Sequence, residues 1–469
     1  MALIHIFPLL DQWSRRSRYR DIIRVCLPLV MSMSATTVME FTDRAFLANY
    51  SLEAISAAAP AGIAAFLFMA FFGGVGSYAG VFIAQYSGSG AHLRIGRVLW
   101  QGIYFTLFSG LIFWLLSLFA ADPLFRFAGH SQEVQVQERI YFTILCRGAI
   151  LHVAVGTLAT FFSGRGLTRP VMASAVLGMF VNIPLDYALI FGRWGMPEMG
   201  IAGAAIATVC AWAASFLFLA VLIFTKEHDR CFAVFSSRRF DPAIFLRLMR
   251  YGIPGSLQFS IDILAFTIFI LLVGRIGTIE LAATNIVLSI NALAFMPSMG
   301  VSQGISVLVG QALGRKQPQQ ARDLVWSSIH LLMLYIGLVD LFFIFLPQTA
   351  LAPFLAASRD CAVTAALLDN AVDILRIVSA YLFFDALYMV FSGALKGAGD
   401  TRFLMISVGL ASLVCLILPV SIGITSFEMG IRTAWLCVLL FVFVLFLLSS
   451  GRYRQGRWQK MLVIEESAR

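Results

Sequence analysis

The sequence is short of charge. Asp, Glu, Lys and Arg make up 13% of its 469 residues, about half the share of a soluble globular chain. With 60% hydrophobic residues and a mean hydropathy of +0.87, it has too little polar surface to cover a water-soluble core. A soluble fold is excluded. The cysteines (Cys26, Cys146, Cys210, Cys231, Cys361, Cys415 and Cys437) are dispersed, with no CxxC. They offer neither a zinc site nor a disulfide framework. The six histidines form no HExxH, and there is no Walker loop, so ATP hydrolysed by this chain is not the expected energy source. "GGVGSYAG" (73–80) and "GVSQG" (300–304) match nucleotide-loop and serine-elbow patterns by letter. Both lie in apolar runs without strand–turn–helix context, and the first reads as close helix packing or a flexible turn. No His, Ser or metal cluster gathers at one bilayer depth, which argues against a membrane enzyme.

Long apolar runs are what the chain has. A bilayer span needs about 20 mostly apolar residues. Twelve are expected, at 22–47, 54–85, 95–120, 136–162, 168–191, 200–225, 246–273, 281–311, 321–346, 368–394, 402–423 and 430–450. The fold class is therefore an all-α polytopic membrane protein. The expected organisation is a cytoplasmic or interfacial segment (1–21), a six-helix bundle (22–225), a cytoplasmic connector (226–245), a second six-helix bundle (246–450) and a cytoplasmic tail (451–469). The apolar start of "MALIHIFPLLDQWSRRSRYR" precedes its positive cluster, the reverse of a cleavable signal.

A net charge of +9 raises the question of nucleic acid. Most of the basic residues fall in short loops on one side of the spans, which is the positive-inside pattern. No basic, aromatic-interleaved run leads into a soluble domain, so nucleic acid is not an expected partner. The same asymmetry places both termini in the cytoplasm.

The two halves repeat. "RVCLP" (24–28) matches "RYGIP" (250–254), Gln85 matches Gln311 and Trp100 matches Trp326, all at an offset of 226 residues. "FSGRGLTR" (162–169) resembles "FSGALKGAGDTR" (391–402). Both halves start on the same side, so the repeat is parallel, with its axis along the membrane normal. Transporters are often built this way, with sites near mid-bilayer. The expectation is two pseudo-symmetric bundles.

Acids inside the spans carry the functional signal. Glu40, Asp43, Asp186, Asp262 and Asp385 lie within apolar runs. Five such acids facing lipid would cost about 15 kcal/mol, so they are expected to face a hydrated interior. Asp43 lies 19 residues beyond Arg24, about 28 Å along a helix, in the outer half of its span. Glu40 and Arg44 stand i,i+4 with the acid first, the order that suits a local ion pair. That structural role and a cavity role are equally open for Glu40. Asp43 and Arg44 are sequence neighbours that face different ways, which leaves Asp43 available. Asn182 and Asp186 share a face, and Pro184 between them frees the carbonyl of Phe180. A broken turn, an amide and a carboxylate suit a cation or proton site; the bland alternative is an Asn–Asp hydrogen bond. Pro28, Pro184 and Pro254 are expected helix kinks. Asp262 and Asp385 have no base within a turn. Arg44 is the only base this reading finds inside the spans, so the cavity is expected to prefer cations. Phe259, Phe295 and Met296 are candidate lining for an adaptable apolar pocket.

These residues resemble the multidrug and toxic compound extrusion (MATE) family over nearly the whole chain. The matching stretches are "PLVMSMSATTVMEFTDRAFLAN", "NIPLDYALI", "GIAGAAIAT", "FMPSMGVSQGISVLVGQALGRKQ" and "GALKGAGDTRF". The resemblance implies exchange of cationic amphipathic drugs or metabolites for Na⁺ or H⁺. It implies that Asp43 is the ion-linked aspartate of the first helix. Asn182 and Asp186 match its fifth-helix companions in the DinF-like branch, and Thr208 a nearby hydroxyl. Asp262 stands where the NorM-like branch usually has glutamate, and Asp385 matches that branch's tenth-helix aspartate. Asp43, Asn182, Asp186, Thr208, Asp262 and Asp385 are thus the coupling candidates, with Na⁺ expected at Asp43/Asp186 or at Asp262/Asp385. Glu40 has no counterpart.

The expected function is a secondary antiporter of a bacterial inner membrane, working by alternating access between two bundles. It is expected to be monomeric, to need no cofactor and no structural metal, and to have the lipid bilayer and an organic cation as partners. Two alternatives remain. A lipid-linked precursor flippase would want a basic, diphosphate-holding cavity, and an uptake symporter differs only in direction.

Overall fold

The computed structural model describes residues 18–128, 130–355, 361–427 and 429–465. The expected interfacial segment, up to residue 17, and the last four residues of the expected tail lie outside this range. Twelve helices among the described residues are long and apolar enough to cross a membrane. They are α1 (Tyr19–Tyr50), α2 (Leu52–Ser89, with a turn at Tyr78), α3 (Leu93–Phe119), α4 (Gln132–Ser163), α5 (Arg169–Phe191) and α6 (Ile201–Ile223). The second set is α7 (Pro242–Val273), α8 (Thr278–Gly314), α9 (Pro318–Phe345), α10 (Cys361–Ala398), α11 (Thr401–Phe427) and α12 (Ile431–Arg454). All twelve expected spans are present, most of them longer than the hydropathy suggested.

Local chemistry sets the helix ends. Ser51 caps α2 by accepting the Ala54 N–H at 3.0 Å. Helix α5 has a proline in its first turn and stops at Gly192, whose φ of 64° is left-handed. Pro28, Pro184 and Pro254 all sit inside their helices. Helix α11 carries a π-turn at Ser412–Ile417.

The chain forms two compact units. Among the described residues, the amino-terminal unit comprises Pro28–Ser260 and Val463–Glu465, and the carboxy-terminal unit comprises 18–27 and Ile261–Leu462. The cuts therefore fall inside α1 and α7, next to or near their prolines. In the carboxy-terminal unit, the Cys26 thiol points to the Val301 carbonyl (3.9 Å). In the amino-terminal unit, a Cβ added to Gly252 would stand 3.3 Å from Val75 and 3.4 Å from Tyr78. Cys26 and Gly252 differ by 226 residues, as do Val75 and Val301. The repeat read from the letters is thus present as equivalent packing in each unit.

Small residues let the helices approach. In the amino-terminal unit Ala54, Ala57, Ala58, Ala61 and Ala65 form a buried stripe on α2, in one core with Phe142, Leu145, Ala149 and Val153 of α4. Between α5 and α6, the Ser215 hydroxyl donates to the Ser174 carbonyl at 2.9 Å. In the carboxy-terminal unit α10 is central: 61% of its spanning window is buried, against 33% for α8. Gly393 and Gly397 lie one turn apart on α10 against the backbone of Ser302 and Ser306 of α8, a small-residue seam. Gly397→Val is expected to lower stability by about 1–3 kcal/mol. Thermal unfolding in detergent checks this; an unchanged midpoint would mean that the seam can spread.

The connector packs on α3. The Trp100 indole donates to the Val234 carbonyl at 2.6 Å, and the Gln101 amide to the Arg239 carbonyl at 3.3 Å. Asp229, in the short helix Lys226–Phe232, accepts from the backbone N–H of Phe235 (2.7 Å) and Ser236 (3.0 Å). These donors hold its carboxyl below the usual carboxylate value. This turn is intact above the ordinary carboxylate range and is lost as pH falls through the depressed value. Asp229→Ala is expected to speed protease cutting between 226 and 241 at neutral pH. Cutting at the unmodified rate would contradict this.

Candidate functional site

The amino-terminal unit buries two carboxylates with few partners. Asp43 (α1) is 7% exposed, and Asn182 and Asp186 (α5) are fully buried. The Tyr141 hydroxyl, from α4, donates to Asp43 Oδ2 at 3.1 Å. Asp43 Oδ1, both carboxylate oxygens of Asp186 and both amide atoms of Asn182 have no hydrogen-bond partner among the described residues. The Asn182 amide nonetheless acts on the Asp186 carboxyl as a hydrogen-bonding neighbour, as the local Asn–Asp reading expects. The charge of Asp43 acts on Asp186, so the structure brings these two acids together. Arg44 and Glu40 also act on Asp43, in opposite senses. Both of their side chains are exposed. Glu40 and Arg44 interact electrostatically, which favours the local reading of Glu40.

Five unpaired polar atoms in a buried place are unusual, because each such group costs about 1–3 kcal/mol. Carboxylate oxygens with an amide are suitable ligands for Na⁺, and a carboxyl pair is equally suited to hold a proton.

Thr208 is half-buried on α6, one turn from Trp212. Trp212 meets His152 of α4 with ring centroids 5.1 Å apart. The sequence reading missed Tyr141, His152 and Trp212. Tyr141 lies 98 residues from Asp43, and no local pattern ties the two together.

The carboxy-terminal unit holds the second set. Asp385 is 4% exposed, its Oδ2 is unpartnered, and Asp262 is half-buried. Their charges act on each other and on Tyr381 of α10, whose hydroxyl the Asn291 amide of α8 reaches. Phe295 and Met296 are half-buried in this unit, whereas the half-buried Phe259 belongs to the other.

The charge inventory needs correction. The sequence reading left Lys396 with the loops, yet it lies in the last turn of α10 and its ammonium acts on Asp262. Arg147 and Arg376 also lie within spanning helices, on exposed positions. Five further acids of the expected spans were overlooked, and two of them, Asp323 and Asp369, stand at span starts. Glu138 is fully buried and pairs with His130 at 2.7 Å; Asp373 pairs with Arg432; Asp340 is half-buried with an unpartnered oxygen. These were visible as letters, but lie toward helix ends or in strongly apolar surroundings that mask a single charge. Hence the Asp262–Asp385 set has a resident ammonium beside it, whereas among the described residues the Asp43–Asp186 set has Tyr141, Asn182, and the exposed Arg44 and Glu40.

Two cavities in the amino-terminal unit, of about 420 and 290 Å³, involve none of the expected site residues; the second is lined by Trp100, Leu158, Phe216 and Phe224 among others. Replacing Asp186 by Asn is expected to leave stability unchanged or to raise it by up to about 1–3 kcal/mol, because it removes a buried ionisable group. The test is thermal unfolding in detergent. A clear loss of stability would mean that the carboxylate has a structural partner.

The MatE family model matches the chain twice, over residues 28–188 and 254–421. The two matches start at Pro28 and Pro254, the repeat anchors. The chain is similar to a protein of Thermotoga maritima named probable multidrug resistance protein NorM, with 24% identity over 95% of this chain and 94% of the other. It is 27% identical to the multidrug resistance protein NorM of Burkholderia vietnamiensis, over 82% and 83% of the two chains. Its fold matches a MOP superfamily transporter from Pyrococcus furiosus with a TM-score of 0.85 at 22% identity, covering 94% and 97%. An outward-facing multidrug resistance MATE family transporter gives a TM-score of 0.85 at 22% identity, covering 95% and 98%.

Proposed function

Because the chain belongs to the MatE family of membrane transporters, we propose that it is a secondary active antiporter that exports cationic, amphipathic drugs or metabolites in exchange for Na⁺ or H⁺. The observation that carries this reading is the pair Asp43 and Asp186, buried in one unit with the charge of Asp43 acting on Asp186 and Asp43 Oδ1 unpartnered among the described residues. An ion or proton arriving from outside neutralises the pair and lowers the field that holds an organic cation. The cation leaves. On the inner side the ion dissociates, and the restored negative charge recruits the next substrate. Exchange arises because the two cations compete for one negative field. The His152–Trp212 ring pair on the neighbouring helices supplies an aromatic face suited to a lipophilic cation.

Asp43 and Asp186 are the coupling pair in this scheme, with Asn182, Tyr141 and Thr208 as supporting polar groups. At Asp262 and Asp385 the Lys396 ammonium already supplies positive charge, so Na⁺ gains less there. The two units rock in alternating access. The membrane is a bacterial inner membrane with both termini in the cytoplasm, in keeping with the one-sided basic loops.

The test is transport in liposomes with Na⁺ and pH gradients imposed separately and a fluorescent organic cation followed. Asp43→Asn is expected to reach the membrane, bind the cation and lose gradient-driven exchange about a hundredfold, as removal of a charge that must cycle would do. Exchange at the unmodified rate would refute the assignment.

A further inference from the structure

Residues Val463–Glu465 are held by a built site. Among the described residues, Val463–Glu465 belong to the amino-terminal unit, although α12 and the residues up to Leu462 belong to the other. The Val463 N–H donates to Gln85 Oε1 at 2.9 Å, and Gln85 is fully buried. Val463 and Ile464 are 2% and 6% exposed. The Glu465 carboxylate accepts from the Tyr86 hydroxyl at 2.8 Å and pairs with both Arg94 and Arg247. Gln85 and Tyr86 close α2, Arg94 opens α3 and Arg247 lies near the start of α7. Three helix ends therefore supply a peptide amide acceptor, apolar cover and a two-arginine, one-tyrosine carboxylate receptor. Arginine pairs of this kind hold carboxylates strongly.

The segment before it is anchored in the carboxy-terminal unit. Trp458 is 1% exposed, stacks on Tyr453 with ring centroids 4.8 Å apart, and donates to the Tyr453 carbonyl at 2.9 Å. Arg452 donates to Asp400 at 2.6 Å. Each anchor is internal to its own unit, and five residues of chain lead from Trp458 to Val463. An extended chain spans at most about 3.5 Å per residue, so the two anchor points cannot part by more than about 17 Å while both hold.

We propose that Val463–Glu465 is a clasp: a C-terminal peptide bound in cis on the amino-terminal unit, which tethers the tail-side ends of the two units and must release at Glu465 when those ends part during transport. This rests on the rocking antiport reading. The clasp sets the pace of the step it opposes, because its carboxylate receptor has to be vacated in each cycle.

The experiment uses the full chain in proteoliposomes, with the exposed Cys231 replaced by Ser. Ile464→Cys reports docking through its rate of reaction with a maleimide, with exposed Lys460→Cys as the reference. In the resting protein Ile464→Cys is expected to react about tenfold more slowly than the reference. Glu465→Lys abolishes that protection, and Arg94→Glu with Arg247→Glu added to Glu465→Lys restores it. Glu465→Gln, and a chain ended at Leu462, are expected to raise the rate of organic-cation exchange about threefold, as when opening limits turnover. Labelling of Ile464→Cys as fast as the reference in the resting protein would overturn docking. Protection together with unchanged or slower exchange after truncation would overturn the gating role. If the unmodified protein exchanges no cation under either gradient, the antiport reading fails. The clasp then stands or falls on whether added organic cation unmasks Ile464→Cys.

Discussion

A bilayer-spanning bundle has no cheap way to keep a carboxylate. The oxygens must be neutralised, hydrogen-bonded or hydrated, and each choice restricts what the surrounding helices can be. In the amino-terminal unit this constraint is left open. Asp43 receives one hydroxyl, from Tyr141, and Asp186 has the Asn182 amide acting on it. The rest of the unit is arranged so that this can persist. Alanine and serine seams lock α2, α4, α5 and α6 at close range, so the site does not collapse onto itself. Stability given up at the acids is recovered in the packing around them, as is common at functional sites.

The carboxy-terminal unit handles the same problem differently. Asp262 and Asp385 interact with each other, and the Lys396 ammonium acts on Asp262. Among the described residues, an internal cation beside one acid pair and none comparable beside the other makes the two halves unequal, although their packing repeats at an offset of 226 residues. Pseudo-symmetry of backbone thus coexists with asymmetry of charge. An exchanger needs that asymmetry if one unit is to sense the coupling ion and the other to act as its partner.

Much of this was legible in the sequence. The spans followed from apolar runs, since a helix in lipid has to be apolar over its full length. The repeat followed from Gln85/Gln311, Trp100/Trp326 and the two prolines. Asp43, Asp186 and Asp385 stood out because a carboxylate in such a run demands an explanation. What could not be read depends on tertiary contacts. Tyr141 is one aromatic among many until α4 places it on Asp43. Lys396 reads as a loop base because it sits at a helix end. The unit boundaries fall inside α1 and α7, where hydropathy is continuous and gives no sign of a break. The tail reads as polar, and only the fold reveals that Val463 and Ile464 are buried and Glu465 is clamped.

The central claim is that inorganic and organic cations compete for the Asp43–Asp186 field. Titrating the purified protein with an organic cation in weakly buffered solution, while recording pH and free Na⁺ together, tests it most directly. The account predicts that binding expels a proton or a Na⁺ ion, and that the release disappears when both aspartates are replaced by asparagine. Tight binding with no release, indifferent to pH and Na⁺, would contradict it.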